Sequence, residues 1–103
     1  MELKQIILNC RNYQPNDEII SVIFAKRIDG QFRPVSDAVL LEVEKEDWAI
    51  KITQIATTKY PDYEYFLEMD IAQYYYEDLL ANEDYKSDDK KVEAIIHYAE
   101  FDA

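Results

Sequence analysis

One stretch of this chain alternates between apolar and acidic positions, which is the pattern of a β-strand with two different faces. Between residues 62 and 71 one face carries apolar side chains, namely Tyr63, Tyr65, Leu67, Met69 and Ile71. The other face carries acids around a single aromatic ring, namely Asp62, Glu64, Phe66, Glu68 and Asp70. The pattern predicts a strand over residues 62–71 with a row of carboxylates and an exposed Phe66.

Two strands are predicted near the start of the chain. The apolar residues within 3–10 favour a strand, because the polar segment that follows, with Pro15, suits a loop. The segment from Ile19 to Arg27 has β-branched and aromatic residues on both faces, which is typical of a central strand.

A hairpin is predicted after the second strand. Asp29 and Gly30 suit the positive φ angles of a two-residue hairpin turn. A third strand should therefore begin at Phe32. Because Pro34 cannot donate a ladder hydrogen bond, this strand should be interrupted there and resume from Ala38 to Val43.

A helix is predicted over residues 46–59. Acids at its start suit the positive end of a helix dipole, and Pro61 provides a natural stop just after it. The alternation of Trp48, Ile50 and Ile52 leaves a strand as the alternative for this segment.

Two helices are predicted after the acidic strand. The first covers residues 72–82 and places four side chains inward, namely Ala72, Tyr76, Leu79 and Leu80. The second begins after Ser87, a typical N-cap residue followed by two acids, and continues through apolar residues at helical spacing. A closing strand over residues 91–101 is the alternative to this last helix.

Together these elements predict a single α+β domain covering residues 1–103. Its order is β-β-β-α-β-α-α, with an antiparallel sheet of about four strands and helices packed on one face. With 103 residues, 49% of them hydrophobic, the chain is long enough for one core and too short for two ordinary domains.

The charge of the chain is large and unevenly placed. The formal net charge is −11, and residues 60–103 hold thirteen acids against three lysines. Such a field repels nucleic acid and anionic membranes and attracts basic protein surfaces. The sequence therefore predicts a basic protein partner, no direct binding of nucleic acid and no membrane association.

The residue inventory excludes most recognisable chemistry. A single glycine allows neither a phosphate-binding loop nor a nucleophile elbow. Cys10 and His97 are the only cysteine and histidine, and nothing in their spacing supports a catalytic pair. Acids two apart on a strand lie roughly 6.5–7 Å apart, too far for one ion without other ligands. We expect no catalytic residue, no cofactor and no metal site.

The expected location is the cytoplasm. One cysteine permits no internal disulfide, which fits a reducing compartment. The apolar runs near the start are too short for the core of a signal peptide or for a membrane span.

These observations favour a noncatalytic protein that inhibits or regulates a basic partner, such as a nuclease or another nucleic acid enzyme. Carboxylates repeating at roughly 7 Å resemble the phosphates along one nucleic acid strand, as an immunity protein, an antidote or a charge mimic would require. The alternative is an assembly subunit that forms a homo-oligomer through its tyrosine-rich face. The residues predicted to contact the partner are Asp62, Glu64, Phe66, Glu68, Asp70, Tyr74, Tyr75, Glu77 and Asp78.

Overall fold

The computed structural model describes residues 1–14, 17–47, 54 and 58–101. The elements with described bounds are, in chain order, helix α1 (Leu3–Leu8), strands β1 (Ile19–Ala25), β2 (Ala38–Glu44) and β3 (Glu64–Glu68), and helices α2 (Met69–Leu80) and α3 (Asp88–Phe101). Strand β1 lies between β2 and β3 and pairs antiparallel with both. The predicted α+β class is confirmed, with three strands of described bounds instead of about four.

The main core lies between the sheet and the helices. Buried side chains from α1, α2 and α3 meet the side chains of Ile23 and Ala25 on one face of β1. A smaller cluster on the opposite face of the sheet is built on Val22, Phe24 and Val43. Helices α1, α2 and α3 therefore pack on the same face of the sheet.

The hairpin turn forms as predicted, but the third strand begins late. Asp29 and Gly30 have φ angles of 53° and 82°, and the flanking residues Ile28 and Gln31 form an isolated antiparallel β-bridge. Ser36 then holds a turn, since its Oγ accepts a hydrogen bond from the Arg33 N–H at 2.8 Å. The strand expected from Phe32 is therefore absent before Ala38, and β2 occupies the predicted second part of that strand.

The strand predicted over residues 3–10 is wrong, because this segment forms α1. Leu3, Ile6 and Ile7 are buried on one face of the helix, and Cys10 continues that face in the short 3-10 turn that follows. A capping box starts the helix, in which the Glu2 N–H donates to Gln5 Oε1 at 3.1 Å.

The predicted strand over residues 62–71 is too long at both ends. β3 covers only Glu64–Glu68, and α2 begins three residues earlier than predicted. Met69 and Ala72 are spaced to face the core from a helix, which replaces the strand alternation at this point. Leu80 was predicted to point inward but is 40% exposed.

The last helix is confirmed, and with it the predicted N-cap. Ser87 Oγ accepts a hydrogen bond from the Lys90 N–H at 3.2 Å, and Val92 and Ile95 face the core. The alternative of a closing strand over residues 91–101 is wrong. The helix predicted over residues 46–59 falls largely outside the described residues.

Candidate partner-binding surface

Strand β3 contains a β-bulge that interrupts the predicted alternation. Tyr65 lies opposite Phe24 and Leu67 lies opposite Ile23, so that Phe66 has no partner on β1. An extra residue of this kind shifts the alternation of faces along the rest of the strand. Phe66 and Leu67 are consequently both buried in the main core. The prediction of an exposed Phe66 is wrong.

The bulge also divides the predicted row of carboxylates. Glu64 pairs with Ala25 on the helix-covered face, whereas Glu68 pairs with Val22 on the opposite face. Directly opposite residues of an antiparallel pair share a face, so the two carboxylates lie on different faces of the sheet. Asp70 lies in the first turn of α2. The strand therefore offers no continuous row of acids that would imitate a row of phosphates.

The acids around β3 have individual environments. Asp62 is exposed in the turn before the strand. Glu64 Oε2 forms an ion pair with Arg27 Nε at 2.8 Å, and the same guanidinium also pairs with Glu100 on α3. Glu68 is half-buried at the N-cap of α2. Glu64 is thus already engaged in an internal ion pair, which makes it a weaker candidate for a partner contact than the sequence suggests.

The exposed face of α2 brings four predicted contact residues together. Asp70, Tyr74, Glu77 and Asp78 are all exposed, and Tyr74 is 73% exposed. Residues four, seven and eight positions apart share one face of an α-helix. The opposite face of α2 is buried in the core through Met69, Ala72 and Tyr76. We call Asp70, Tyr74, Glu77 and Asp78 the α2 acidic face.

Tyr74 is held in place although it is exposed. Its ring meets the Tyr75 ring edge-on, with centroids 5.9 Å apart and an interplanar angle of 87°. Tyr75 is half-buried and packs in turn on Tyr98 of α3, with centroids 4.0 Å apart. The Tyr75 ring, which is itself packed on Tyr98, therefore limits the freedom of Tyr74, and this reduces the entropy lost when a partner immobilises Tyr74. Tyr98 was not among the predicted contact residues, and its supporting role depends on the packing of α2 against α3.

The predicted tyrosine-rich face is not one continuous surface. Leu67 and Met69 are buried in the main core. Tyr63 is half-buried and donates a hydrogen bond to Asp37, which raises the pKa of Tyr63 to about 12. Tyr65 is 44% exposed on the other face of the sheet. These side chains do not present a single apolar patch.

Negative charge continues from α2 into the start of α3. The connecting segment and the two helix ends carry exposed acids, namely Glu77, Asp78, Glu83, Asp84, Asp88 and Asp89. Lys91 is turned inward and is 6% exposed, and its Nζ donates to the Lys86 carbonyl at 2.9 Å. Only two of the three lysines in residues 60–103 are therefore exposed beside these acids.

Cys10 and His97 are held in separate environments. The Cys10 thiol is buried and donates to the Ala72 carbonyl at 3.8 Å. Burial, and then the negative charge of Glu77, raise the pKa of Cys10 to about 11, so the thiol stays protonated near neutral pH. His97 is exposed on α3 and packs on Phe101 with ring centroids 4.7 Å apart.

The raised pKa of Cys10 predicts a loss of stability at alkaline pH. Its ordinary value of 9.0 applies to the unfolded chain, and the folded value is about 11. The unfolded state therefore loses the thiol proton first, and the free energy of unfolding should fall between pH 9 and 11. The contribution of this one group is at most about 1.4 kcal/mol per pH unit.

Urea unfolding of the wild type and of Cys10→Ala between pH 8 and about pH 10 measures this contribution, because the tyrosines that begin to ionise in this range are present in both proteins. The variant should be less stable overall because it loses buried volume, but its stability should fall less steeply with pH. Equal slopes for the two proteins would contradict the prediction.

In residues 1–14, 17–47, 54 and 58–101, no three histidine, cysteine or carboxylate side chains are grouped so that they would hold a metal ion. Within the same part of the chain, no helix has the length and apolar character needed to cross a membrane.

The chain was also compared with known proteins. No protein-family model, curated protein or solved structure matches it.

Proposed function

We propose that this protein is a noncatalytic binding protein that inhibits or regulates a basic protein partner. An immunity protein, an antidote to a toxin domain or a mimic of nucleic acid charge acts in this way. A nuclease or another nucleic acid enzyme has a basic surface of the kind required. No residue of the chain acts as a catalyst in this proposal, and no cofactor takes part.

The observation that carries the proposal is the α2 acidic face. The carboxylates of Asp70, Glu77 and Asp78 lie on the same face of α2 as the exposed ring of Tyr74, and Glu77 Oε1 is 3.8 Å from Arg11 Nε. Charges of one sign accelerate association with a surface of the opposite sign, and a buried aromatic ring slows dissociation. Tyrosine is among the residues that most often dominate binding energy at interfaces. Both elements of a tight and fast-binding interface therefore lie on one helix.

The charge around this face strengthens the argument. Residues 60–103 hold thirteen acids and three lysines, and the exposed acids between α2 and α3 extend the negative field beyond the helix. Charges within about 8–10 Å of one another act together at physiological salt. A basic partner would meet a broad field with one aromatic anchor inside it.

Capture of partners from native lysate by the immobilised protein tests the proposal. Wild-type protein should retain one or more basic proteins at low salt, with less retained at high salt because the electrostatic attraction is screened. The variant Asp70→Asn/Glu77→Gln should retain markedly less of the same protein.

The matched control is Asp29→Asn/Glu93→Gln, which removes the same amount of charge at exposed sites outside α2, one in the hairpin turn and one on α3. It should retain the partner almost as well as the wild type. If both variants lose the partner equally, general charge and not this face is responsible. If the wild type retains no basic protein at either salt concentration, the proposed function is wrong.

A homo-oligomer formed through the tyrosine-rich face has less support. Leu67 and Met69 of that face are buried within a single chain, so they are not available to a second copy. Light scattering after size exclusion measures whether the protein is a monomer at micromolar concentration.

A further inference from the structure

Strand β2 forms an edge of the three-stranded sheet, with β1 on its other side. The Lys26 N–H donates to the Asp37 carbonyl at 2.9 Å, and the Lys45 N–H donates to the Glu18 carbonyl at 2.9 Å. In an antiparallel pair, alternate residues bond to the same neighbouring strand. The odd-numbered residues of β2 therefore face β1, and the even-numbered residues direct their backbone N–H and C=O groups away from it.

Part of this outward edge has no strand partner among residues 1–14, 17–47, 54 and 58–101, and we call this part the open edge. At its start, the Ala38 N–H donates to the Met1 carbonyl at 2.7 Å. The next outward groups belong to Leu40, Glu42 and Glu44, for which the described part of the chain provides no backbone partner. An unpaired edge of this kind is a template on which another extended chain can add a strand.

The side chains along the open edge differ between its two ends. Leu40 is 38% exposed and borders an open groove of about 580 Å³, which Met1, Ile6 and Tyr13 also line. At the other end, a depression of about 470 Å³ is lined by four carboxylates and one ammonium group, from Asp17, Glu18, Glu44, Glu46 and Lys45. The edge is thus apolar at one end and strongly acidic at the other.

We propose that the β2 edge binds an extended basic segment of a partner protein as a fourth strand of the sheet. Leu40, Glu42 and Glu44 share one face of β2 at intervals of roughly 6.5–7 Å. The segment would place an apolar residue beside Leu40 and a basic residue beside each of the two glutamates. This surface is separate from the α2 acidic face, and the proposal does not depend on the function proposed for that face.

Charge favours this occupant over a second copy of the chain. Each copy carries a net charge of −11, so the approach of two copies is opposed by repulsion. Pairing of β2 with itself would also bring together two sets of the Glu42 and Glu44 carboxylates. A lysine- or arginine-containing strand would bond to the outward backbone groups of β2 and neutralise these acids at the same time.

A synthetic peptide with the order lysine, threonine, lysine, threonine, leucine, flanked by threonines, is the probe. In antiparallel orientation its lysines lie beside Glu44 and Glu42 and its leucine lies beside Leu40. Titration into the ¹⁵N-labelled protein should shift the amide signals of these three residues and slow their hydrogen exchange. The control peptide carries N-methyl groups on both lysines and the leucine, which keeps the charge but removes the donors that face β2. It should bind at least about tenfold more weakly.

Two variants of Glu42 separate the backbone contribution from the charge. Glu42→Pro removes an outward N–H and leaves the ladder to β1 in place, since proline is tolerated on edge strands. It should weaken peptide binding at least about tenfold, whereas Glu42→Gln should weaken it only about threefold because an exposed ion pair contributes little. If Glu42→Pro does not fold, the N-methylated peptide on the wild-type protein provides the same test.

Several outcomes would overturn the proposal. Equal binding of the two peptides would show that the backbone edge is not used, and shifts confined to α2 would place the peptide on the acidic face instead. Slow exchange at Leu40 and Glu42 in a peptide-free dimer would assign the edge to a second copy. The lysate capture with Asp70→Asn/Glu77→Gln is unaffected by these outcomes, so the two proposals can fail independently.

Discussion

Phe66→Ala should lower the free energy of unfolding by about 3–5 kcal/mol, the usual range for removing a buried phenylalanine ring. Phe66 is 1% exposed, and its ring meets that of Phe32 edge-on with centroids 5.1 Å apart. Since small domains are stable by only about 5–15 kcal/mol, this loss is large enough to lower the melting temperature markedly. Urea unfolding followed by circular dichroism measures it.

Two further variants test whether the loss of stability comes from the burial of the Phe66 ring. Tyr74→Ala also removes an aromatic ring, but from a side chain that is 73% exposed, and should change stability by no more than about 0.5 kcal/mol. Phe66→Leu keeps an apolar group in the core and should lose less than Phe66→Ala. A surface-like effect for Phe66→Ala would mean that the ring lies outside the core, as the alternation in the sequence suggests.

Tyr74→Ala should have its large effect on binding instead. If Tyr74 is the anchor of the α2 acidic face, its removal should weaken the complex with the captured basic partner by about 2 kcal/mol or more, which is about 30-fold in Kd. The loss should appear mainly as faster dissociation, because the surrounding charges that govern association remain. Surface plasmon resonance with the immobilised partner measures both rates.

The ring and its support can be tested separately. Tyr74→Phe keeps the ring and should bind nearly as well as the wild type unless the hydroxyl donates to the partner. Tyr98→Leu removes the ring on which Tyr75 packs at 4.0 Å, which should release Tyr74 and weaken binding less than Tyr74→Ala does. An unchanged dissociation rate for Tyr74→Ala would assign the binding energy to other residues.

The helices and strands that follow one consistent pattern could be predicted from the sequence. Strands β1 and β2, the turn at Asp29 and Gly30, and the helix after Ser87 all have propensity, spacing and end signals that agree. Helix α1 was missed because isoleucine and leucine in a short segment suit a strand as well as a helix. Its signal was present in the spacing of Leu3, Ile6, Ile7 and Cys10, which repeats with the period of a helix.

The bulge in β3 explains why the site was only partly predicted. Alternation in the sequence assigns side chains to the correct face only when the strand is regular. One extra residue places the side chains after it on the opposite face from the one that alternation predicts. Phe66 was the single apolar residue in the predicted row of acids, and that irregularity was the only sign of the bulge. The α2 acidic face was easier to predict, because Tyr74, Glu77 and Asp78 lie both in the helix predicted over residues 72–82 and in the observed α2.

Because β2 has an open edge, the large net charge also affects whether the protein associates with itself in concentrated solution. A sheet edge with no strand partner among the described residues, beside the exposed Leu40, would allow two copies to pair, and repulsion between copies of net charge −11 opposes this pairing. This protection is weakest near pH 4.3, where the net charge approaches zero, and in high salt, where it is screened. The acids that would attract a basic partner therefore also oppose self-association of the chain.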